Sequence, residues 1–457
     1  MSRATLRRVE LPDFGPPSAM PALPASLYAA RLDRLREAAA AQGFDRIVLY
    51  ADREHSASIG WLSGFDPRFE EAVVVIGPDD DPAILVGNEC YGMAGAAPLP
   101  MRRHLHQDLS LPNQPRDRSR PIDEVLGDEG IGAGSRVGVI GWKAYADPTW
   151  LDAPSWLADR IRALVGPSGS VTNATGLLID PRDGLRTTNE PEQVVAFEYA
   201  SRHTSGGMRR LLQGLRPGMT EQEAVALLGW NGMPLSCHLM LSAGPRASLG
   251  LPSPGDRVIE RGDRFTAAFG VWGALTCRAG FVVEDASELP PPIQDYVGRL
   301  VGPYVETVAE WYATLGLGVP GGALQEVVDR GLGDPFFGIF LNPGHLLALD
   351  EWVASPVWRG STVPLRSGMV FQVDIIPATG TAHFTTNIED GIALADDALR
   401  DDLATRYPDV WRRIVARREF MAQELGIRLA PEVLPLSDMP ACLPPLVLRP
   451  DRVMSLM

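Results

Sequence analysis

Apolar residues recur at helical spacing near the start of the chain and then give way to short β-rich runs. Leu27, Leu32 and Leu35 fall on one helical stripe that ends before Gly43, which predicts an amphipathic helix. Runs rich in valine, isoleucine and leucine, separated by turn residues, predict strands at residues 46–50, 72–76, 83–87 and 136–141. The helix and the four strands together predict an α/β domain over residues 25–172.

The second half of the chain contains longer helical patterns. One stripe covers residues 187–215, with Asn189 as a candidate cap and Pro191 suited to the first turn. Thr220 and Glu223 have capping-box spacing, which predicts the start of a second helix. Two further helical patterns cover residues 296–315 and 398–424.

Strand-like runs alternate with these helices. They cover residues 265–284, 337–341, 369–377 and 387–394. Helices grouped around an antiparallel sheet predict an α+β architecture for residues 173–430. We expect a Pro-rich arm over residues 1–24 before the first domain and a Pro-rich tail over residues 431–457 after the second.

Composition narrows the class of partner. The chain has 57 acidic and 42 basic residues, an excess of 15 negative charges that disfavours nucleic-acid binding. No apolar run approaches the roughly 18 residues needed to span a bilayer, so no membrane association is expected. The four cysteines have no C-x-x-C spacing, which argues against a zinc ribbon and a disulfide scaffold. We expect a cytoplasmic protein that acts on a small molecule or a short peptide.

The densest chemistry lies between residues 344 and 390. His345, Asp374, His383 and Glu389 occupy separate segments of this stretch, each close to a strand-like run. One histidine with two carboxylates is a ligand set that a divalent metal can use. A chain with 57 acidic residues also produces such a trio by chance, so spacing alone favours a structural role for these residues.

The order of several motifs resembles the creatinase/methionine aminopeptidase/aminopeptidase P superfamily over about residues 25–440. The motifs are TTNEPEQ at 187–193, LRPGMTEQE at 215–223, PGH at 343–345, LRSGMVFQVDIIP at 365–377 and NIED at 387–390. The resemblance implies a creatinase-like α/β N-terminal domain, an α+β pita-bread C-terminal domain of the catalytic type, and a homodimer.

The same resemblance implies a dinuclear metal site built from two Asp, one His and two Glu. His345, Asp374 and Glu389 fall on three of these five positions, but Ala268 and Ala279 stand where the two Asp belong. Alanine has no ligand atom, so we expect the dinuclear centre to be lost. No cofactor is therefore expected, although a single divalent metal on the three remaining residues stays open.

Creatinase works without metal through a general-base histidine, and residues 251–253 offer none at the matching place. His238 is nearby in sequence and is expected to act in its place, alongside His345, Asp374 and Glu389. Residues expected to contact substrate are Trp352, His203, His383, Arg278 and Asp350. Asp350 or Glu351 could replace the proton donor that the family carries in this loop. Cys277 is a candidate nucleophile, but a small buried cysteine is the simpler reading.

These observations favour a divergent creatinase- or aminopeptidase-P-like hydrolase. It would cleave a C–N bond in a small polar substrate without a dinuclear metal centre, and cationic compounds are among the candidate substrates. One alternative is a non-catalytic pseudo-enzyme that uses the pocket to bind a ligand or partner. The other is a mononuclear-metal peptidase of the Xaa-Pro type.

Overall fold

The computed structural model describes residues 3–15 and 19–457, which form two compact units. One unit is Leu23–Arg186, and the other combines Met1–Ala22 with Thr187–Met457. The division therefore falls 14 residues after the expected boundary at residue 172. Residues 173–186 stay with the first unit because a short helix within them packs on its first helix and buries Leu177 and Leu178.

The N-terminal arm is part of the second unit. Its strand β1 (Thr5–Arg8) pairs antiparallel with the last strand of the chain, Arg452–Ser455. The expected C-terminal tail is also ordered into this unit, and most side chains over residues 433–447 are buried. The Pro-rich tail is therefore part of the folded core of the second unit, whereas the N-terminal arm pairs with the last strand but is mostly exposed.

The first unit is a six-stranded mixed sheet with helices. Strand β2 lies inside the sheet, pairing antiparallel with β3 and parallel with β6, and the order is β5-β4-β3-β2-β6-β7. The strands are β2 Arg46–Ala51, β3 Ala72–Ile76, β4 Ala83–Val86, β5 Arg102–Leu105, β6 Arg136–Ile140 and β7 Ser170–Asn173. The helices are α1 Ala25–Ala41, α2 Ala57–Ser63, α3 Cys90–Ala94, α4 Ile122–Asp128, α5 Ser155–Val165 and α6 Gly176–Ile179. The predicted helix and all four predicted strands are confirmed.

The second unit contains two four-stranded antiparallel sheets, which confirms the α+β architecture. Their orders are β13-β10-β9-β8 and β11-β12-β14-β15. The strands are β8 Met240–Ala243, β9 Arg264–Val271, β10 Ala274–Phe281, β11 His345–Leu346, β12 Val370–Gln372, β13 Asn387–Glu389, β14 Gly391–Leu394, β15 Val433–Pro435 and β16 Arg452–Ser455. The expected strand at residues 337–341 is wrong, since this apolar segment has no regular structure and leaves Phe340 exposed.

Six helices complete this unit. They are α7 Pro191–Gly214, α8 Glu221–Ala226, α9 Gly302–Thr314, α10 Gly321–Leu332, α11 Asp397–Arg406 and α12 Pro408–Gln423. The capping box of Thr220 and Glu223 is confirmed. The predicted helix over residues 398–424 is two helices, because Pro408 lacks the N–H that a continuous helix needs. Asn189 is not the cap of α7: Glu190 precedes the helix, and the Asn189 side chain donates to Gly368 O.

Helix α7 is tied to α12 by a buried ion network. Glu198 accepts from Arg413 at 2.8 Å and from Arg417 at 2.6 Å, and Arg417 also contacts Asp438 at 2.6 Å. Both Glu198 and Arg417 have almost no exposed surface. The network therefore joins α7, α12 and the C-terminal segment through charges that are largely buried.

No helix in the described part of the chain, residues 3–15 and 19–457, is long and apolar enough to cross a membrane.

Replacing Glu198 with glutamine should destabilise the second unit by about 3 kcal/mol, because Arg413 loses its carboxylate partner and the buried Arg417 keeps only Asp438 as a countercharge. Urea unfolding at neutral pH measures this loss. Glu284→Gln is the matched control, since Glu284 pairs with Arg261 on the surface at half exposure and should cost less than about 1 kcal/mol.

The difference in stability between wild type and Glu198→Gln should depend on pH. Burial alone would raise the pKa of Glu198, but Arg417 and Arg413 lower it below the ordinary 4.5. A carboxyl with a depressed pKa stabilises the fold above its ordinary pKa and loses that stabilisation as pH falls through the folded value. The stability gap between wild type and Glu198→Gln should therefore shrink below about pH 4.5. A gap that stays constant or widens there would contradict this assignment.

Candidate active site

A cavity of about 350 Å³ lies against one face of the β13-β10-β9-β8 sheet. Cys277 on β10 is paired with Ala268 on β9 and with Glu389 on β13, so all three share that face. Ala279 is paired with Asn387 in the next row and also lines the cavity. Because side chains alternate along a strand, the neighbours of these residues point to the opposite face.

Two buried carboxyl groups from different sheets face this cavity. Asp374 follows β12 and Glu389 ends β13, and their exposed fractions are 6% and 7%. The Asn387 amide orients Glu389, because its Nδ2 donates to Glu389 Oε1 at 2.7 Å and to Cys277 Sγ at 3.2 Å. The structure therefore brings Asp374 and Glu389 to one cavity from segments that are separate in sequence.

His345 lies directly behind the cavity wall. Its Nδ1 donates to Leu346 O at 3.3 Å, while Nε2 is 3.2 Å from Glu351 Oε1 and 3.8 Å from Asp374 Oδ2. The imidazole is fully buried and stacks on Trp352 with ring centroids 4.2 Å apart. His345, Asp374 and Glu351 thus form one connected group, and the imidazole stacks on Trp352, which lines the cavity.

The low polarity of this environment changes the protonation of the group. Burial raises the pKa of Asp374 to about 6, against the opposing effect of His345. Burial and then the charge of Asp374 raise the pKa of Glu389 well above its usual range. Burial would lower the pKa of His345, but Glu351 and Asp374 outweigh it and raise the pKa. Both shifts favour the protonated forms of Glu389 and His345.

Two thiols line the cavity in their neutral form. Burial raises the pKa of Cys237 to about 12, and Glu351 and Glu389 add to the effect. Burial raises the pKa of Cys277 well above its usual range. A thiol held neutral is a poor nucleophile, so Cys277 has the properties of a buried structural cysteine.

The residues present do not fit the dinuclear metal centre that the sequence resemblance implies. Ala268 and Ala279, which replace the two Asp ligands, both line the cavity with methyl groups. Across residues 3–15 and 19–457, no group of three or more His, Cys, Asp and Glu side chains is arranged to hold a metal ion. The imidazole of His345 is fully buried and does not line the cavity.

Arg278 was expected to bind substrate, and the structure places it elsewhere. It follows Cys277 on β10 and therefore points to the sheet face opposite the cavity. Its fully buried guanidinium pairs with Asp390 at 2.7 Å and donates to the carbonyls of Met439 and Cys442. Arg278 is a structural residue that fixes the segment around Glu389.

The expected histidines also lie apart from one another. His203 packs edge-to-face on Phe269 on the α7 side of the sheet, opposite the cavity. His383 pairs with Asp295 at 2.7 Å and does not line the cavity. His238 does line it, but precedes β8 in an exposed loop and uses Nε2 to contact Leu251 O at 2.8 Å.

In the loop after His345, the residues that line the cavity differ from those that were expected to contact substrate. Trp352 lines the cavity, as does Glu351, whereas Asp350 does not. Asn387 and Cys237 are further lining residues that the sequence analysis did not single out. The alternation of NIED could have identified Asn387, because residues 387 and 389 of one strand share a face. No comparable sequence signal exists for Cys237, which lies in an irregular loop.

Comparison with known proteins identifies the fold. No protein-family model matches the chain, and no curated protein sequence is significantly similar to it. The solved structure of the prolidase from Pyrococcus horikoshii OT3 matches with a TM-score of 0.61 and 15% identity, covering 80% of this chain and 95% of that one. The Xaa-Pro dipeptidase from Bacillus anthracis matches with a TM-score of 0.60 and 18% identity, covering 81% and 96%.

A third match is the X-Pro aminopeptidase from Thermotoga maritima MSB8, with a TM-score of 0.61 and 17% identity over 80% of this chain and 95% of that one. The chain therefore has a creatinase-like α/β N-terminal domain followed by an α+β pita-bread domain. The chain shares this fold with the solved prolidase and X-Pro aminopeptidase structures, as the sequence motifs predict.

Metal analysis tests the missing ligands. Purified protein dialysed against Mn²⁺ should hold fewer than two tightly bound ions, because Ala268 and Ala279 supply no carboxylate for a second ion. In Ala268→Asp/Ala279→Asp, two anionic ligands face the cavity, and Mn²⁺ affinity by calorimetry should rise about tenfold or more. Two tightly held ions in the wild type would contradict this interpretation.

A second prediction concerns the charge on His345. In Glu351→Gln the imidazolium loses its nearest anion, so the pKa of His345 should fall by about one pH unit or more in an NMR titration. Asp350→Asn is the matched control because Asp350 is adjacent in sequence but does not line the cavity. Equal shifts in the two variants would show that Glu351 has no special role.

Proposed function

We propose that the protein is a hydrolase of the creatinase/aminopeptidase P type that cleaves a C–N bond in a small cationic substrate without a dinuclear metal centre. The observation that carries this proposal is the convergence of Asp374 and Glu389 on one largely apolar cavity. Paired carboxyl groups in such a setting can bind a cation and can also exchange protons. The similarity of the fold to a prolidase and an Xaa-Pro dipeptidase supports hydrolysis as the reaction class.

In this proposal the two carboxyl groups take different roles. Glu389, whose pKa burial raises most strongly, holds a proton and gives it to the leaving nitrogen. Asp374, with a pKa raised to about 6, is ionised at neutral pH and takes a proton from the attacking water. The C–N bond breaks as the water oxygen bonds to carbon. His345 lies 3.8 Å from the Asp374 carboxylate and positions it, and Glu351 contacts His345 in turn at 3.2 Å.

A second candidate function is ligand binding without turnover. It is favoured by the lining itself, because His238 is the one histidine among the described lining residues and its Nε2 is engaged with Leu251 O. A mononuclear-metal Xaa-Pro peptidase is the third candidate and would use His345, Asp374 and Glu389 as ligands. Three measurements distinguish these candidates: turnover, the dependence of turnover on metal, and ligand binding. The homodimer and the cytoplasmic location stay predictions.

Activity should be measured by release of amine or ammonia from a panel of alkyl and arylalkyl guanidines and amides. We expect turnover of at least one cationic member, unaffected by EDTA, because no step requires two metal ions. Glu389→Gln and Asp374→Asn should each lower kcat by about 100-fold or more, the usual contribution of a general acid or base.

Controls separate catalysis from folding. Glu284→Gln and Asp295→Asn are matched substitutions outside the cavity lining and should keep wild-type kcat. Turnover lost with EDTA and restored by Mn²⁺ would favour the mononuclear peptidase. Ligand binding without any turnover would favour the binding protein, and either result would overturn the proposal.

A further inference from the structure

The charged lining of the cavity has a single sign. Glu351, Asp374 and Glu389 contribute carboxyl groups, and no arginine or lysine lines the cavity among residues 3–15 and 19–457. An anionic ligand group entering this space would meet carboxylates with no arginine or lysine in the lining to pair with it, which is unfavourable at low dielectric. The lining therefore selects for positive charge and against a ligand carboxylate.

Two unused acceptors lie at the acidic end of the cavity. Asp374 Oδ1 and Asn387 Oδ1 have no hydrogen-bond partner among the described residues, and the two side chains are only 6% and 4% exposed. The Asn387 amide nitrogen is committed to Glu389 and Cys277, so its oxygen must face a donor from elsewhere. Buried acceptors are normally satisfied, and both line the cavity, so a ligand N–H group is the natural donor.

The remaining walls are apolar. Side chains that contribute to them are Met240, Leu251, Leu275, Leu341, Ile376 and Phe384. Trp352 adds an aromatic face next to the carboxyl groups. A ligand that fills the cavity therefore combines a cationic, N–H-bearing group with an apolar remainder.

Arg264 is the cation to consider as a partner for a ligand carboxylate. It lies on the same face of β9 as Thr266 and Ala268, because the three alternate along the strand. Its guanidinium is over the Phe384 ring at 5.6 Å and donates to Ser248 Oγ at 2.6 Å, and it does not line the cavity. Arg264 is thus engaged outside the space that a ligand would occupy.

We propose that the cavity binds an amine or guanidine with free N–H groups whose remaining part is apolar and carries no carboxylate. The inference deepens the proposed function and rests on it for the identity of the site. It excludes free amino acids, dipeptides with a free C-terminus and guanidino acids as preferred substrates. It admits apolar amines and guanidines, and amides whose only charge is the ammonium group.

Calorimetry with three probes of one skeleton tests this directly on the full chain. The probes are 2-phenylethylamine, L-phenylalanine, which adds a carboxylate, and 2-phenylethanol, which lacks the cation. The amine should bind about tenfold or more tightly than either of the others, because each lacks a favourable charge match. Binding does not require turnover, so this result stands even if the protein proves catalytically inactive.

Two variants locate the effect. Asp374→Asn removes a carboxylate at the cavity, so it should weaken binding of the amine about tenfold and leave binding of the alcohol unchanged. Leu251→Arg adds a cation at a lining position whose side chain is 66% exposed, so it tolerates substitution and should improve L-phenylalanine relative to the amine. Leu251→Gln is its neutral control and should leave the preference for the amine as in the wild type.

Three results would overturn the inference. One is absence of binding by 2-phenylethylamine. Another is L-phenylalanine binding as tightly as the amine in the wild type. The third is loss of L-phenylalanine binding in Arg264→Gln, which would show that Arg264 turns into the cavity and recognises a carboxylate.

Discussion

The buried ion pair of Arg278 and Asp390 is the interaction on which the candidate site depends. It is 2.7 Å long with almost no solvent exposure at either side chain, and the guanidinium also donates to the carbonyl of Glu389 at 3.3 Å. Adjacent residues point to opposite faces, so fixing Arg278 and Asp390 on one side directs Cys277 and Glu389 to the cavity on the other. Removing either charge would leave its partner buried and unpaired.

The cavity combines two carboxyl groups with small apolar side chains. Asp374 and Glu389 lie where the fold brings two sheets together, and alanines occupy positions 268 and 279 of the same surface. Burial disfavours ionisation of both carboxyl groups and raises their pKa values. Their charge is balanced by protonation, by His345 and, in the proposed complex, by a cationic ligand. The chemical character of the site follows from this balance, which a cationic ligand completes.

Much of the fold could be predicted from the sequence because its signals are local. The stripe of α1, the capping box at Thr220 and the β-branched runs of β2 to β4 each specify structure within a few residues. The C-terminal segment could not be predicted in this way. Its prolines suggest an exposed tail, but β16 finds its partner more than 440 residues away in β1.

The site shows the same division between local and distant signals. Motif order pointed to His345, Asp374 and Glu389, and the structure brings these three together. Arg278 and His203 were expected to reach the cavity, but strand register and the packing of α7 direct them to the opposite face. Glu351 could be given only as an alternative to Asp350, because the sequence of this irregular loop does not show which of the two side chains faces the cavity.

A crystal structure of the protein soaked with 2-phenylethylamine and Mn²⁺, with anomalous data collected for manganese, tests the central claim most directly. We predict the amine nitrogen within about 3 Å of Asp374 and Glu389 oxygens, and no pair of manganese peaks between them. Two manganese ions bridged by these carboxylates, with the amine absent, would contradict the claim that the cavity recognises a cation in place of a dinuclear metal centre.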